Sequence, residues 1–341
     1  MVKSQIPRAP RHRVILTAAT RVDRKQLRAA LGPLSGLRVQ PSTERRYTLA
    51  WVRLLEYGKR QQRWPIFDLC DLDDLVASHI EEMWQEGEPR SWSADLVACV
   101  QHFMPSSKSH LPVAWSLIQS WNRRELPCRA LPLTPQLVAG LAGGFLIARH
   151  PRLAAGVLVG FDTLARTGEL LSLVVDDVLV DKRAGFAGIL RFRDTKSGQR
   201  EGVHQSVTIE NPAVRGALRY LCQNVGPGEQ LLQISDFKFR EVWAHVVGAL
   251  GLQHFSIRPY SMRRGGATWE WRRTLSYDSV AHRGRWAALS TCRRYVEDSA
   301  AALADLRLSS WHHAQLEALG ERFRNWAAAE FPADADSESW Q

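Results

Sequence analysis

From Tyr47 to the end of the chain the apolar residues recur mostly at helical intervals, and that rhythm is clearly interrupted at one place. At "FAGILRF" and "GVHQSVTIE" it gives way to β-branched or alternating runs, and the polar "RDTKSGQR" between them predicts a hairpin. One hairpin in an otherwise helical chain confines the fold to a mainly α architecture with a small β element.

The helical runs fall into two groups. "TERRYTLAWVRLLEYGKR", "LDDLVASHIEEMWQEG", "SWSADLVACVQHFM" and "HLPVAWSLIQSWNRR" predict a four-helix domain over residues 47–126. Asp73 and Asp74 suit the start of the second helix, and Gly87 suits its end. Pro127, Pro132 and Pro135 then mark a linker over 127–135. A second domain over 136–328 opens with helices on either side of "ARHPR", contains the hairpin and returns to helix from Pro212. Residues 329–341 are rich in acids and predict a disordered tail. The apolar stretch from Leu137 to Phe161 is cut by "ARHPR", so neither half is long enough to span a bilayer and no membrane partner is expected.

Charge is unevenly placed. Residues 1–46 hold eleven Lys/Arg against two acids, nearly all of the net charge of +10. They read as a flexible electrostatic arm for an anionic partner, most often nucleic acid. An Arg-rich, acid-poor leader is also the composition of organelle-targeting segments, so both readings stand. The five cysteines show no CxxC and no metal-ligand spacing, which fits a reducing compartment and a site without metal or cofactor.

The chemistry-bearing residues are individually ordinary. In "FDTLARTGELLSL", Phe161, Leu164, Ala165, Gly168 and Leu171 form an apolar helical stripe, with Arg166 and Glu169 three apart beside it. In "RPYSMRRGGATWEW", Arg263 and Arg264 precede the small residues Gly265, Gly266 and Ala267, which permit close helix packing. Ala267, Trp271 and Leu275 then predict a buried row. Lys196 sits at the tip of the hairpin, and Tyr295 follows Trp286 by nine positions in an arginine-rich stretch.

Taken in order, Arg166, Lys196, Arg263, Trp286 and Tyr295 resemble the catalytic set of the tyrosine recombinase (phage-integrase) family. "TLARTGEL" is similar to that family's first arginine motif, keeping Thr163, Arg166, Glu169 and Leu170 and carrying Leu164 in place of glycine. "YSMRRGGAT" is similar to its second motif, and the Trp286-to-Tyr295 interval matches its third. The forms "SMRRGGAT" and "GRW" look most like recombinases of eukaryotic mobile elements such as Cryptons. The resemblance covers roughly residues 131–302 and implies a mixed α/β DNA breaking-rejoining domain, with the four helices standing as a core-binding (SAM-like) domain.

The resemblance also implies roles. Arg166 and Arg263 would grip the non-bridging oxygens of a DNA phosphodiester, with Glu169 supporting Arg166. Tyr295 would attack phosphorus, giving a 3′-phosphotyrosine and a free 5′-hydroxyl. Lys196 would protonate the leaving oxygen, and Trp286 would donate its indole N–H to the phosphate. Double-stranded DNA is the implied partner, a homotetramer the implied assembly, and the amphipathic "SWHHAQLEALGERFRNW" the segment exchanged between protomers or packed on its own chain. A nuclear location follows if the source is eukaryotic, and a cytoplasmic or nucleoid one otherwise. The departure is Tyr260, which occupies the family's histidine position. A phenol of pKa near ~10 is a poor base at neutral pH, so reduced activity is expected, and a DNA-binding protein that has lost catalysis, or a type IB topoisomerase, are the competing expectations.

Overall fold

The computed structural model describes residues 20–126, 129–180, 187–193 and 205–331, and the chain divides after residue 128 into two compact units. Lys196, most of the segment joining the two hairpin strands, residues 1–19 of the arm and residues 332–341 of the tail lie outside the described residues.

The N-terminal unit contains α1 (Arg21–Leu31), α2 (Pro41–Arg60), α3 (Leu69–Gln85), α4 (Arg90–Phe103) and α5 (Pro112–Arg124). Segment 20–46, read from charge as a flexible arm, therefore carries α1 and the opening turn of α2. A reciprocal cap nucleates α1: the Thr20 hydroxyl accepts from the Asp23 N–H at 3.2 Å, and the Asp23 carboxylate accepts from the Thr20 N–H at 3.0 Å. Leu54, Leu72, Leu75, Leu96, Val97 and Trp121 fill the unit's core. Asp73 does not serve its own helix, which Asp68 caps. It is buried and accepts from the N–H groups of Val113 and Ala114 at 2.9 and 3.0 Å, capping α5 instead.

The C-terminal unit begins earlier than its proline pattern predicts. Leu131 and Leu133 donate backbone N–H groups to Ser256 and Ser261, each at 3.3 Å, and the Thr134 side chain caps α6 (Pro135–Ile147). These bonds make 129–134 part of the folded unit rather than a free linker. Next come α7 (Pro151–Asp162) and α8 (Thr167–Ser172). The sheet follows, with β1 (Val178–Leu179), β2 (Gly188–Phe192) and β3 (Gln205–Ile209) antiparallel in the order β1-β2-β3. Phe192 pairs with Gln205 and Gly188 with Ile209, so the predicted hairpin runs are the strands found, and Leu190, Phe192, Val207 and Ile209 turn to the core. The chain continues through α9 (Pro212–Cys222), α10 (Asp236–Ala249), α11 (Ser261–Thr274), α12 (Tyr277–Gly284), α13 (Leu289–Cys292), α14 (Asp298–Arg307) and α15 (Ser310–Glu330).

Helix α15 packs on α6 of its own chain. Leu316, Leu319 and Phe323 are buried there, and the approach is so close that a Cβ on Gly143 would stand 2.1 Å from the Leu319 carbonyl oxygen. The helix runs past residue 329 to Glu330, and Phe331 packs on Tyr220 and Trp326, so the first residues assigned to the tail belong to the fold.

Two local expectations are corrected. The stripe from Phe161 to Leu171 is not one helix: α7 stops at Asp162, Leu164 turns left-handed at φ 52°, and α8 restarts at Thr167. Gly168 consequently faces solvent. The break exposes the Leu164 carbonyl to a partner outside the helix. Leu275 is also exposed, because α11 ends there in a left-handed residue, which leaves Ala267 buried and Trp271 half-buried in the predicted row.

Helix α11 is held where it is by its glycines. A Cβ on Gly265 would meet the Leu133 carbonyl oxygen at 2.2 Å, and one on Gly266 the Phe161 carbonyl oxygen at 2.1 Å. Neither oxygen can rotate away as a side chain would. Gly266→Ala is therefore expected to lower stability by about 3 kcal/mol, the upper range for overpacking, read as a drop in the thermal midpoint of roughly 6–10 °C. An unchanged midpoint would show that the two segments are not in this contact.

Candidate active site

Three segments meet at one place: the break between α7 and α8, the start of α11, and the stretch from the end of α12 to Tyr295. Arg263, fully buried in the first turn of α11, ties the first two to the third. It donates to the Leu164 carbonyl through Nη1, and to the Gly284 carbonyl at 2.8 Å through Nη2. Its guanidinium carbon lies 4.5 Å from the ring centre of Trp286 and 5.4 Å from that of Tyr295. Burial and the neighbouring Arg166 both lower its pKa.

Arg166 stands at the entry of α8. Its Nη1 donates to Glu169 Oε1, and its backbone N–H donates to Oε2 at 2.9 Å, so the i,i+3 pair expected from sequence is formed and half-buried. Glu169 also draws Arg285 to 2.8 Å and Arg263 to 3.9 Å. Burial alone would raise its pKa, but Arg285, Arg166 and Arg263 together hold it below the usual carboxylate range. Three guanidiniums around one carboxylate leave a local excess of two positive charges.

Tyr295 is half-buried, with its ring centre 4.5 Å from that of Trp286. Its hydroxyl meets the Tyr260 hydroxyl in a direct hydrogen bond, the ring centres 5.9 Å apart. Burial, then the bond to Tyr295, push the Tyr260 phenol well above its ordinary pKa. The structure thus brings Arg166, Glu169, Tyr260, Arg263, Trp286 and Tyr295 together within one chain, while Lys196 lies outside the described residues. Arg293 and Arg294, the sequence neighbours of Tyr295, are exposed, and the guanidinium that lies over its ring is that of Arg263, from α11.

Several contributors carried no sequence signal strong enough to single them out. Arg264 and Arg129 both pair with Glu297, two residues beyond Tyr295, and the Glu297 N–H donates to the Thr268 hydroxyl at 3.1 Å. These contacts pin the tyrosine's segment to α11. Arg285 was visible only as the middle letter of "GRW". The buried cluster also holds donors with no partner among the described residues: Arg263 Nε, Arg285 Nε and Nη1, and Trp286 Nε1. Unpaired buried donors beside a surplus of positive charge suit an anion with several acceptor oxygens.

No protein-family model and no curated protein matches this sequence. Solved structures are similar in fold. A lambda integrase dimer bound to a COC′ core site superposes with a TM-score of 0.56 at 14% identity, over 81% of this chain and 94% of that one. The Tn1549 transposon integrase in complex with circular intermediate DNA gives 0.54 at 14% identity, over 80% and 95%. The chain has the tyrosine recombinase fold, a helical unit followed by a mainly α unit with a small antiparallel sheet.

Proposed function

We propose that this protein is a site-specific DNA recombinase or integrase that cuts and rejoins strands through a 3′-phosphotyrosine. The observation that carries the reading is the gathering, within one chain, of Arg263 and Trp286 against the Tyr295 ring, with Arg166 beside Arg263 and Tyr260 and the Tyr260 hydroxyl bonded to that of Tyr295. Arg166 and Arg263 bind the two non-bridging oxygens and neutralise the charge that grows on the phosphorane. The unpartnered Trp286 N–H donates to the same phosphate. Tyr295 Oη forms the new bond to phosphorus while the bond to O5′ breaks in line, and the phosphate ester is conserved, so rejoining needs no external energy source.

The Tyr295 proton passes to Tyr260, whose own proton leaves to water from a side chain 37% exposed. Lys196, four residues beyond Phe192 in the hairpin, returns a proton to the leaving O5′. Two duplexes exchanging all four strands present four phosphodiesters, and one tyrosine for each makes the working assembly a tetramer.

A duplex nicked beside the cleaved phosphate tests the reading, because loss of the short fragment traps the covalent complex. The wild-type protein gives an adduct that survives denaturation. A protein that shifts the duplex but never becomes attached is instead a binding protein of the same fold, the outcome that Tyr260 in the histidine position favours. Relaxation of supercoils by a monomer, without strand exchange, would mark a type IB topoisomerase.

Tyr260 supplies a separate expectation. Its raised pKa makes it a relay rather than a base, whereas an imidazole at the same place titrates near ~6.5. Tyr260→His is expected to keep or raise the trapping rate and to add a limb between about pH 6 and 7 in the rate profile. A sharp loss of trapping would remove Tyr260 from this role.

A further inference from the structure

Arg285 is placed at a disadvantage in three respects. Its backbone is left-handed, at φ 56° and ψ 48°, a region that glycine enters freely and a long side chain does not. The residue is 8% exposed, so a cation has been taken out of water, and its Nε and Nη1 find no acceptor among the described residues. Burial lowers its pKa to about 9. In return it makes a small set of contacts: Nη2 donates to Glu169 Oε2 at 2.8 Å and stands 3.5 Å from the Leu164 carbonyl oxygen, and the guanidinium lies 3.8 Å over the Phe192 ring. Strain kept at one residue, with its polar reach directed at a single carboxylate, indicates a working role for that contact.

Resting on the strand-transfer reading, the geometry points to Arg285 as a positioning residue for the reaction, holding the Oε2 side of Glu169 so that Oε1 keeps Arg166 aimed at the phosphate. It has a second consequence. Glu169 cancels one positive charge, and Arg285 restores it, so the pair of phosphate-binding arginines acts with its full charge of two. Because Arg285 stacks on the last residue of β2, the same contact fixes the root of the hairpin that carries Lys196 in sequence.

The test uses Arg285→Gly in the full-length protein, since glycine is free to adopt this φ and the variant is expected to fold with a thermal midpoint within a few degrees of wild type. Its trapping rate on the nicked duplex is expected to fall at least about 30-fold, and about 50 mM guanidinium chloride, but not sodium chloride at equal ionic strength, should restore part of it. In a Glu169→Gln background the same change should cost less than about threefold, because the carboxylate that Arg285 holds is gone. A trapping rate close to wild type, or an equal loss in both backgrounds, would overturn the proposal. If the wild-type protein itself traps no DNA, the strand-transfer reading fails separately. Thermal midpoints of the same four proteins then decide the Arg285–Glu169 link, since coupled values support it and additive ones refute it.

Discussion

With Tyr295 changed to phenylalanine, covalent attachment to the nicked duplex disappears, a loss of at least about 10³-fold, while binding of the same duplex is retained. The substitution removes one oxygen and leaves the ring. The contacts of that ring with Trp286 and with the Arg263 guanidinium, at 4.5 and 5.4 Å between centres, need no hydroxyl. The hydrogen bond to Tyr260 is lost, which costs about 1 kcal/mol or less because Tyr260 is partly open to water. A gel shift, a thermal midpoint and the trapping assay on one preparation therefore separate chemistry from folding and from binding. Residual attachment in Tyr295→Phe would mean that another residue is the nucleophile.

Arg263→Lys keeps the charge formally and is expected to lose both activity and stability. The guanidinium fork spans two carbonyls from different segments, Leu164 at the helix break and Gly284 at the end of α12, while presenting a face to Trp286. An ammonium on a shorter reach cannot make both bonds and stack. The site is also fully buried, and the burial that already lowers the Arg263 pKa acts on a lysine starting about two units lower or more, so the replacement tends to shed its proton. A carbonyl left unpaired in the core costs about 1–3 kcal/mol, and removal of a donor aimed at the developing charge slows the reaction about 10²–10³-fold. The thermal midpoint and the single-turnover trapping rate report the two losses separately. A variant that traps at the wild-type rate would show that Arg263 is structural only.

The split between what sequence reveals and what it hides follows from the range of the interactions involved. Helical period, the alternating strand runs and the nine-residue interval to Tyr295 are local, and most of the helices, both hairpin strands and the Trp286–Tyr295 contact follow from them. The Arg166–Glu169 pair is local too. What stayed hidden depends on distant partners. Glu169 proves to be shared by three arginines, two of them from segments about a hundred residues away. The helix break at Leu164 looks like continuous helix in sequence, since its apolar spacing is unbroken, and it becomes intelligible only once Arg263 is seen capping the released carbonyl. Charge alone made an arm of residues 20–46, although the Thr20–Asp23 spacing was a readable cap for α1. Asp73 suits its own helix by sequence and caps another, a choice that only packing decides.

The central claim is that the hydroxyl of Tyr295 becomes bonded to DNA phosphorus, and the direct measurement is the position of the nucleotide in the trapped complex. After nuclease digestion, cleavage behind arginine releases a peptide from Tyr295 to Arg307 that contains one tyrosine. Tandem mass spectrometry is expected to find the residual nucleotide on that residue. A nucleotide on Tyr260, or an unmodified peptide from a protein that binds the duplex fully, would contradict the account.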